Sequence, residues 1–169
     1  GCDWPGGVRV TCCDTGVDTP TGGRIAAAAG HLGTSTFCAT YADGVADLDV
    51  AALLAEHRAS GAAATMTVIR PELQFGVARI GADDRVEGFV EKPRSDDWVN
   101  GGFLCLEPSV LELLGPETVL ERDALTELAA RGELRAHRHE GFWDCMDTYK
   151  DAVLLNDLWD RGEAPWKLW

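Results

Sequence analysis

Along the chain, short stretches of alternating apolar and polar residues give way to stretches of helical spacing. Val8-Arg-Val-Thr-Cys-Cys13 alternates and is rich in β-formers, which predicts a strand. Asp14 to Gly23 (DTGVDTPTGG) is loop chemistry, and Arg24 to Ala29 turns helical. Phe37 to Tyr41 reads as a second strand. Asp49 is placed to cap a helix whose Val50, Leu53, Leu54 and His57 share one face. Thr65 to Ile69 is a β-branched strand, and Phe75 to Ile80 and Val86 to Val90 flank the hairpin signal Gly81-Ala-Asp-Asp84. Gly102 to Leu106 predicts a strand and Pro108 the first turn of a helix through Leu114. Ala124 to Ala130 is helical, Leu134 to His139 a short strand, and Asp147 to Trp159 a long helix, apolar at Val153, Leu154, Leu158 and Trp159.

Strands that alternate with helices, with one hairpin inserted, predict an α/β domain on a mixed, mostly parallel sheet with flanking helices. The 169 residues make one domain, with residues 148–169 as its C-terminal helix and tail. The formal net charge is -13, from 28 acidic and 15 basic residues. Such a surface excludes nucleic acid and anionic membranes as natural partners, and any bound phosphate must meet a local cation, a metal or a helix N-terminus. There is no run of 18 apolar residues and no signal-peptide pattern. The six cysteines include no C-x-x-C pair, and most lie in apolar, strand-like runs. Buried thiols in a reducing cytoplasm are the expectation, and a zinc site or disulfide framework is the alternative.

Candidate chemistry gathers where strands end, because ligands of open α/β sheets bind beyond the carboxyl ends of strands. In Thr40-Tyr-Ala-Asp-Gly44 a carboxylate, Asp43, follows a strand, and Asp147 follows Phe142-Trp-Asp-Cys-Met146 at a helix start. Two such carboxylates can share a hard divalent cation such as Mg²⁺ with phosphate oxygens. The alternative is that Asp43 is a turn residue and Asp147 an N-cap. Glu91-Lys92-Pro93 closes the hairpin, with Lys92 able to neutralise a phosphate and Glu91 to accept from sugar hydroxyls, or else forms a solvated turn. Asn100-Gly101-Gly102 permits close backbone approach to a ligand, or a bulge. Thr19-Pro-Thr-Gly-Gly-Arg24 can cradle a phosphate or nucleobase, though it lacks the ending of a Walker loop. His137 and His139 share one face of a strand and read as an exposed edge.

Together these pieces resemble the glucose-1-phosphate cytidylyltransferases. The matching elements are DTGVDTPTGGR, TYADGVADLDV, QFG, EKP, NGGFLCLEP, GFWDCMDT and LWDRGEAPWKLW, from about Val10 to Trp169. The resemblance implies a Rossmann-like nucleotidyltransferase fold that joins CTP and α-D-glucose 1-phosphate into CDP-glucose and pyrophosphate, with Mg²⁺, in the cytoplasm, as a homo-oligomer, commonly a hexamer. It implies Asp43 and Asp147 as metal ligands, and Thr19, Arg24 and Ala42 on the nucleotide. It also implies Gly76, Glu91, Lys92, Asn100 and Gly101 around the sugar, with Lys92 beside its phosphate as the catalytic cation. Asp47 and Asp49 then serve the turn and the helix cap.

Four departures from the family pattern stand out. The family's first segment, with its GGxGTR phosphate loop and a PKPM-like lysine, has no counterpart after the opening GCDWPGG, which implies an N-terminally shortened member that is inactive alone. Ala42 replaces the usual Gly of a GDG turn, and Gln74 stands where Arg is usual. Asp144 and Cys145 replace a Gln-Pro pair beside Asp147.

Overall fold

The computed structural model describes residues 2–4 and 7–169, with the backbone alone for Cys2–Trp4. Gly1, Pro5 and Gly6 of the opening stretch, on which the shortened-chain expectation leans, lie outside the described residues, as does the Cys2 thiol. The elements run β1 (Cys2–Trp4), β2 (Val8–Val10), α1 (Thr21–Ala28), β3 (Phe37–Thr40), β4 (Gly44–Ala46), α2 (Val50–Ser60), β5 (Ala64–Ile69), β6 (Val77–Ile80) and β7 (Val86–Val90). They continue with β8 (Val99–Leu106), a 3₁₀ segment Pro108–Leu113, a π-helix Leu120–Leu125 that leads into α3 (Thr126–Ala130), β9 (Leu134–Arg138), β10 (Trp143–Cys145) and α4 (Tyr149–Asp160).

The central sheet has the order β3-β8-β5-β9. β8 is antiparallel to both β3 and β5, whereas β5 and β9 are parallel. β3, β5 and β9 therefore point the same way and β8 alone runs back, so the sheet is mixed, with flanking helices, as the element pattern predicts, but β8 lying between β3 and β5 makes two of its three pairings antiparallel. The register Thr40↔Phe103 and Ile69↔Val99 brings the carboxyl ends of β3 and β5 to the start of β8. β1–β2, β4–β10 and β6–β7 form separate antiparallel pairs.

Strand alternation explains the core. On β8, Leu104 and Leu106 face one cluster with Ala64, Val110, Leu120, Ala124 and Leu128. Cys105 and Phe103 face the other side, against Leu48 and Leu53. β5 is buried along nearly its whole length, as expected of a strand covered on both faces. α2 forms as its sequence predicts: Asp49 accepts a hydrogen bond from Ala52 N at 2.9 Å, and Gly61 ends the helix at φ 65°. Leu53 and His57 are the residues of that face that become buried, while Val50 stays exposed.

Several expectations need correction. The first strand stops at Val10, because Cys12 and Cys13 are exposed in the loop beyond it. Cys38 is also exposed, so among the described thiols burial holds for Cys105 alone, with Cys145 half-buried. α1 begins at Thr21, which places Gly22 and Gly23 inside the helix. α4 is capped by Thr148, whose side chain and Asp151 form a reciprocal capping box, and not by Asp147. Its core contact is Leu155, while Val153, Leu154 and Trp159 remain substantially exposed. The segment from Pro108 is 3₁₀, and Ala124 lies in a π-helix. His137 does lie on the sheet's edge strand, β9, and His139 directly follows it, but they are not exposed: their side chains are 13% and 10% exposed, each against a carboxylate, Glu56 at 2.7 Å and Asp47 at 3.0 Å. Among the described residues no helix is long and apolar enough to cross a membrane.

Candidate functional site

The β4–β10 pair builds the site's floor. Gly44 lies opposite Cys145, and Met146 N donates to Asp43 O at 2.9 Å. The turn after β3 is thereby fastened to the segment before α4. Asp43 and Asp147 consequently border one cleft of about 210 Å³, together with Tyr41, Asn100, Gly101 and Trp143. Thr148 caps α4, so the Asp147 carboxylate is not taken up by the helix end. Its Oδ2 accepts instead from the Cys145 thiol at 3.2 Å.

The opposite wall is set by hydrogen bonds to the start of β8. Trp143 Nε1 donates to Gly101 O at 2.8 Å. Asn100 Nδ2 donates to the Tyr41 hydroxyl at 3.2 Å, and its Oδ1 accepts from Gly102 N at 2.9 Å. Gly102 sits at φ 83°, and a Cβ there would lie 2.6 Å from the Tyr41 ring, so this position requires glycine twice over. The Tyr41 hydroxyl donates to Glu121, which also accepts from Thr21 Oγ1 at 2.7 Å, and Thr21 Oγ1 accepts in turn from Leu120 N at 3.0 Å. Burial, and then Glu121, push the Tyr41 phenol up to about 12. Burial acts to raise Glu121 as well, but the bonds from Tyr41 and Thr21 outweigh it and hold the carboxyl below its usual range. No sequence spacing announces a contact across 80 positions.

A larger cleft of about 650 Å³ adjoins the first and shares Trp143, Cys145 and Asp147 with it. Arg70, Gln74, Lys92 and Arg94 bring cations and an amide to this cleft, which Asp144 and Asp147 also border. Leu73 N donates to Pro93 O at 2.9 Å and Ser95 N to Pro71 O at 2.8 Å, which holds Lys92 alongside the loop following β5. Lys92 has a left-handed backbone, φ 45°, uncommon for a residue with a side chain. Gly76 and Glu91 adjoin each other at the base of the β6–β7 hairpin: a Cβ on Gly76 would meet Glu91 Oε2 at 2.7 Å. Neither lines the two clefts.

Thr19 and Arg24 lie elsewhere. Thr19 borders a third cleft of about 760 Å³, between the 15–20 loop and Leu114–Glu117, which shares no residue with the other two. Arg24 staples its own loop, donating to Thr15 Oγ1 and Val17 O, both at 2.9 Å. Gly23 N donates to Thr118 O at 3.1 Å, so that amide does not face a ligand. Ala42 is exposed at the rim between Tyr41 and Asp43.

The floor is strongly acidic. Burial, and then Asp151 and Asp147, raise Asp144 above the ordinary carboxyl value against the bond it accepts from Cys145 N. Burial, and then Asp147, push the Cys145 thiol up to about 12, with Asp144 and Asp43 adding to the effect. The thiol is therefore neutral and no soft anionic ligand. Among the described residues no group of three or more His, Cys, Asp or Glu could hold a metal ion. Asp43 and Asp147 offer hard oxygen donors and leave the remaining positions of an ion to water or phosphate, a donor set that fits Mg²⁺.

The nucleotidyl transferase family profile matches residues 7–151, and the chain belongs to that family. It is 45% identical over 164 residues to the glucose-1-phosphate cytidylyltransferase of Salmonella typhimurium, a match covering 95% of this chain and 63% of the relative. It is 31% identical over 153 residues to the mannose-1-phosphate guanylyltransferase of Mycobacterium tuberculosis, covering 86% of this chain and 43% of that protein. The chain thus spans less than two thirds of the length of these relatives. Among solved structures, UDP-glucose pyrophosphorylase complexed with UDP-glucose superimposes with a TM-score of 0.64 over 88% of this chain and 64% of the other, at 17% identity, a likeness of fold.

Proposed function

We propose that the protein transfers a cytidylyl group from CTP to α-D-glucose 1-phosphate, giving CDP-glucose and pyrophosphate. The observation that carries this reading is the pair Asp43 and Asp147 on one cleft, with Asn100 and Gly101, continuous with the cleft that holds Lys92. The similarity to a glucose-1-phosphate cytidylyltransferase supports the choice of substrates.

The chemistry asks little of a base. A sugar phosphate loses its second proton near pH ~6, so its attacking oxygen is already anionic at neutral pH. What the protein supplies is position and neutralising charge. Asp43 and Asp147 are the residues that would hold Mg²⁺, which when bound screens the charge between the nucleotide α-phosphate and the incoming phosphate. Lys92 neutralises the sugar phosphate from the adjoining cleft. Gly101 and Asn100 present backbone and amide to the sugar, held in place by Trp143 and Tyr41. Ala42, at the rim beside Asp43, serves the nucleotide side, whereas Gly76 and Glu91 at the hairpin base, Thr19 at the third cleft and Arg24 on its own loop lie outside this reading. The protein works in the cytoplasm as a homo-oligomer, to which the exposed apolar residues Phe75, Ile80, Val86 and Phe89 of the hairpin contribute.

The 31% identical guanylyltransferase favours a second reading, the same transfer from another nucleoside triphosphate. Pyrophosphate release by the whole protein, with each nucleoside triphosphate in turn and glucose 1-phosphate, separates the two. CTP is expected to lead, and Asp43→Asn or Asp147→Asn to lower turnover by about 10²–10³. Turnover with CTP that survives both substitutions would remove the metal-site assignment. Binding of Mn²⁺ to this chain, lost in both variants, checks the same residues without turnover.

A further inference from the structure

Cys38 and Cys105 stand directly opposite each other on β3 and β8, with their sulfurs 3.6 Å apart. Their surroundings differ. Cys38 is exposed, on the outermost strand of the central sheet. Cys105 has no accessible surface and lies against Leu48 and Leu53 beneath α2. Burial, and then the neighbouring Cys38, push the Cys105 thiol up to about 12, so it is protonated in neutral solution. A small solute oxidant can reach Cys38 and cannot reach Cys105.

A sulfur–sulfur bond is about 2.05 Å long, so joining this pair calls for an approach of roughly 1.5 Å, within reach of side-chain rotation and slight closing of one ladder position. The remaining thiols are placed differently. The Cys145 thiol is tied to Asp147 at 3.2 Å. Cys12 and Cys13 are exposed in a loop and, among the described residues, face no cysteine across a ladder.

We infer that Cys38 and Cys105 form an oxidation site, an exposed thiol that meets a peroxide and a buried thiol that resolves it, closing an intrachain disulfide between β3 and β8. In the first step the Cys38 thiolate attacks one oxygen of hydrogen peroxide. The O–O bond breaks, the departing hydroxide takes up a proton to become water, and Cys38 is left as a sulfenic acid. In the second step the Cys105 sulfur attacks the Cys38 sulfur and the S–O bond breaks. The departing hydroxide carries off the Cys105 proton as a second water. Two thiols lose two electrons and the peroxide gains two. The Cys105 proton leaves with the departing hydroxide as the sulfur–sulfur bond forms, and because that thiol is held protonated this step is the slower of the two.

The position of the link gives it consequence. β3 runs directly into Tyr41 and Asp43, and β8 opens with Asn100 and Gly101. A covalent bridge between Cys38 and Cys105 ties together the two strands that carry opposite walls of the Asp43–Asp147 cleft. A thiol reductant reverses it.

The test is treatment of the chain with hydrogen peroxide at near-neutral pH, quenching with N-ethylmaleimide in denaturant so that buried thiols are labelled too, and peptide mapping without reduction. The expected result is a Cys38–Cys105 linked peptide, lighter by two hydrogens, which disappears with dithiothreitol. In Cys105→Ala, Cys38 is expected to stall as sulfenic acid, with dimedone trapping raised about tenfold over the wild type because the resolving thiol is gone. Cys38→Ser changes an exposed position and keeps the test open should the core variant fail to fold: Cys105 is then expected to remain a free thiol throughout. The inference is overturned if Cys38 proceeds to sulfinic or sulfonic acid while Cys105 stays alkylatable, if Cys38 joins Cys12 or Cys13 instead, or if Cys38 does not react.

Discussion

His57 Nε2 lies 3.0 Å from Glu107 Oε1, and the imidazole side chain has no exposed surface. Its other nitrogen is 2.8 Å from Thr65 Oγ1, so the ring bridges α2, β5 and the end of β8. Thr36 Oγ1 donates to the same Glu107 oxygen at 2.7 Å. The bond from Thr36, ahead of the contributions of His57 and Arg58, holds the Glu107 carboxyl below its ordinary value despite partial burial. A carboxyl depressed in the folded state adds stability above its unfolded pKa of about 4.3, and that stability is lost as pH falls through the lower folded value. Thr36→Val, followed by circular dichroism during acidification, is therefore expected to begin unfolding at higher pH than the wild type. His57→Ala, which also leaves Thr65 without its partner, is expected to cost about 2–3 kcal/mol in chemical denaturation.

Gly102 offers a sharper test of the site's wall. Alanine there must accept φ 83° and place its Cβ 2.6 Å from the Tyr41 ring. A destabilisation of about 2–3 kcal/mol is expected from the backbone strain and overpacking together. Gly44, where an added Cβ meets nothing within 4 Å, is the control, and its alanine variant is expected to melt within a few degrees of the wild type.

Cys145 is expected to resist alkylation. With its thiol near 12, the fraction present as thiolate at mildly alkaline pH is very small. Iodoacetamide labelling followed by mass spectrometry should show Cys145 modified at least about tenfold more slowly than Cys12 or Cys13. Labelling at equal rates would mean that burial and Asp147 do not hold the thiol neutral.

The tail separates two tryptophans by role. Trp166 stacks on Phe142 with ring centroids 5.5 Å apart and 28° between planes, and Phe142 lines the larger cleft. Trp169 is 82% exposed. Trp166→Ala is expected to cost about 1–2 kcal/mol, and Trp169→Ala less than about 0.5 kcal/mol, in thermal or chemical melts.

What could be read from the sequence follows from how local the signals are. Asp49 as a cap, Gly81–Asp84 as a hairpin turn and the β-branched run before Ile69 are decided by neighbouring residues, and the structure has all three. The course of β8 against its neighbours is decided by register with β3 and β5, which no window of residues contains. The same holds for the candidate site. Asp43 and Asp147 could be singled out as carboxylates after short apolar runs, but the fastening of one to the other through β4 and β10 is a pairing across about a hundred residues. Thr19 and Arg24 looked free because a glycine-rich loop reads as open, whereas Arg24 turns back on Thr15 and Val17 and the glycines pack on Pro116 and Thr118. His137 and His139 looked exposed because strand alternation says nothing of the acids, Glu56 and Asp47, that lie against them.

The backward course of β8 has a consequence for how such a protein can change. Because it enters where β3, β5 and β9 leave, the segments that follow those three strands and the one that leads into β8 all meet at one rim of the sheet. The candidate clefts thereby lie largely on segments outside the central sheet, while Leu104, Leu106, Leu120 and Leu128 form a foundation packed together in the core. A chimera that takes 70–98 from a relative with a different sugar leaves that foundation untouched. Substitutions can accumulate at the rim, one segment at a time, without renegotiating the fold.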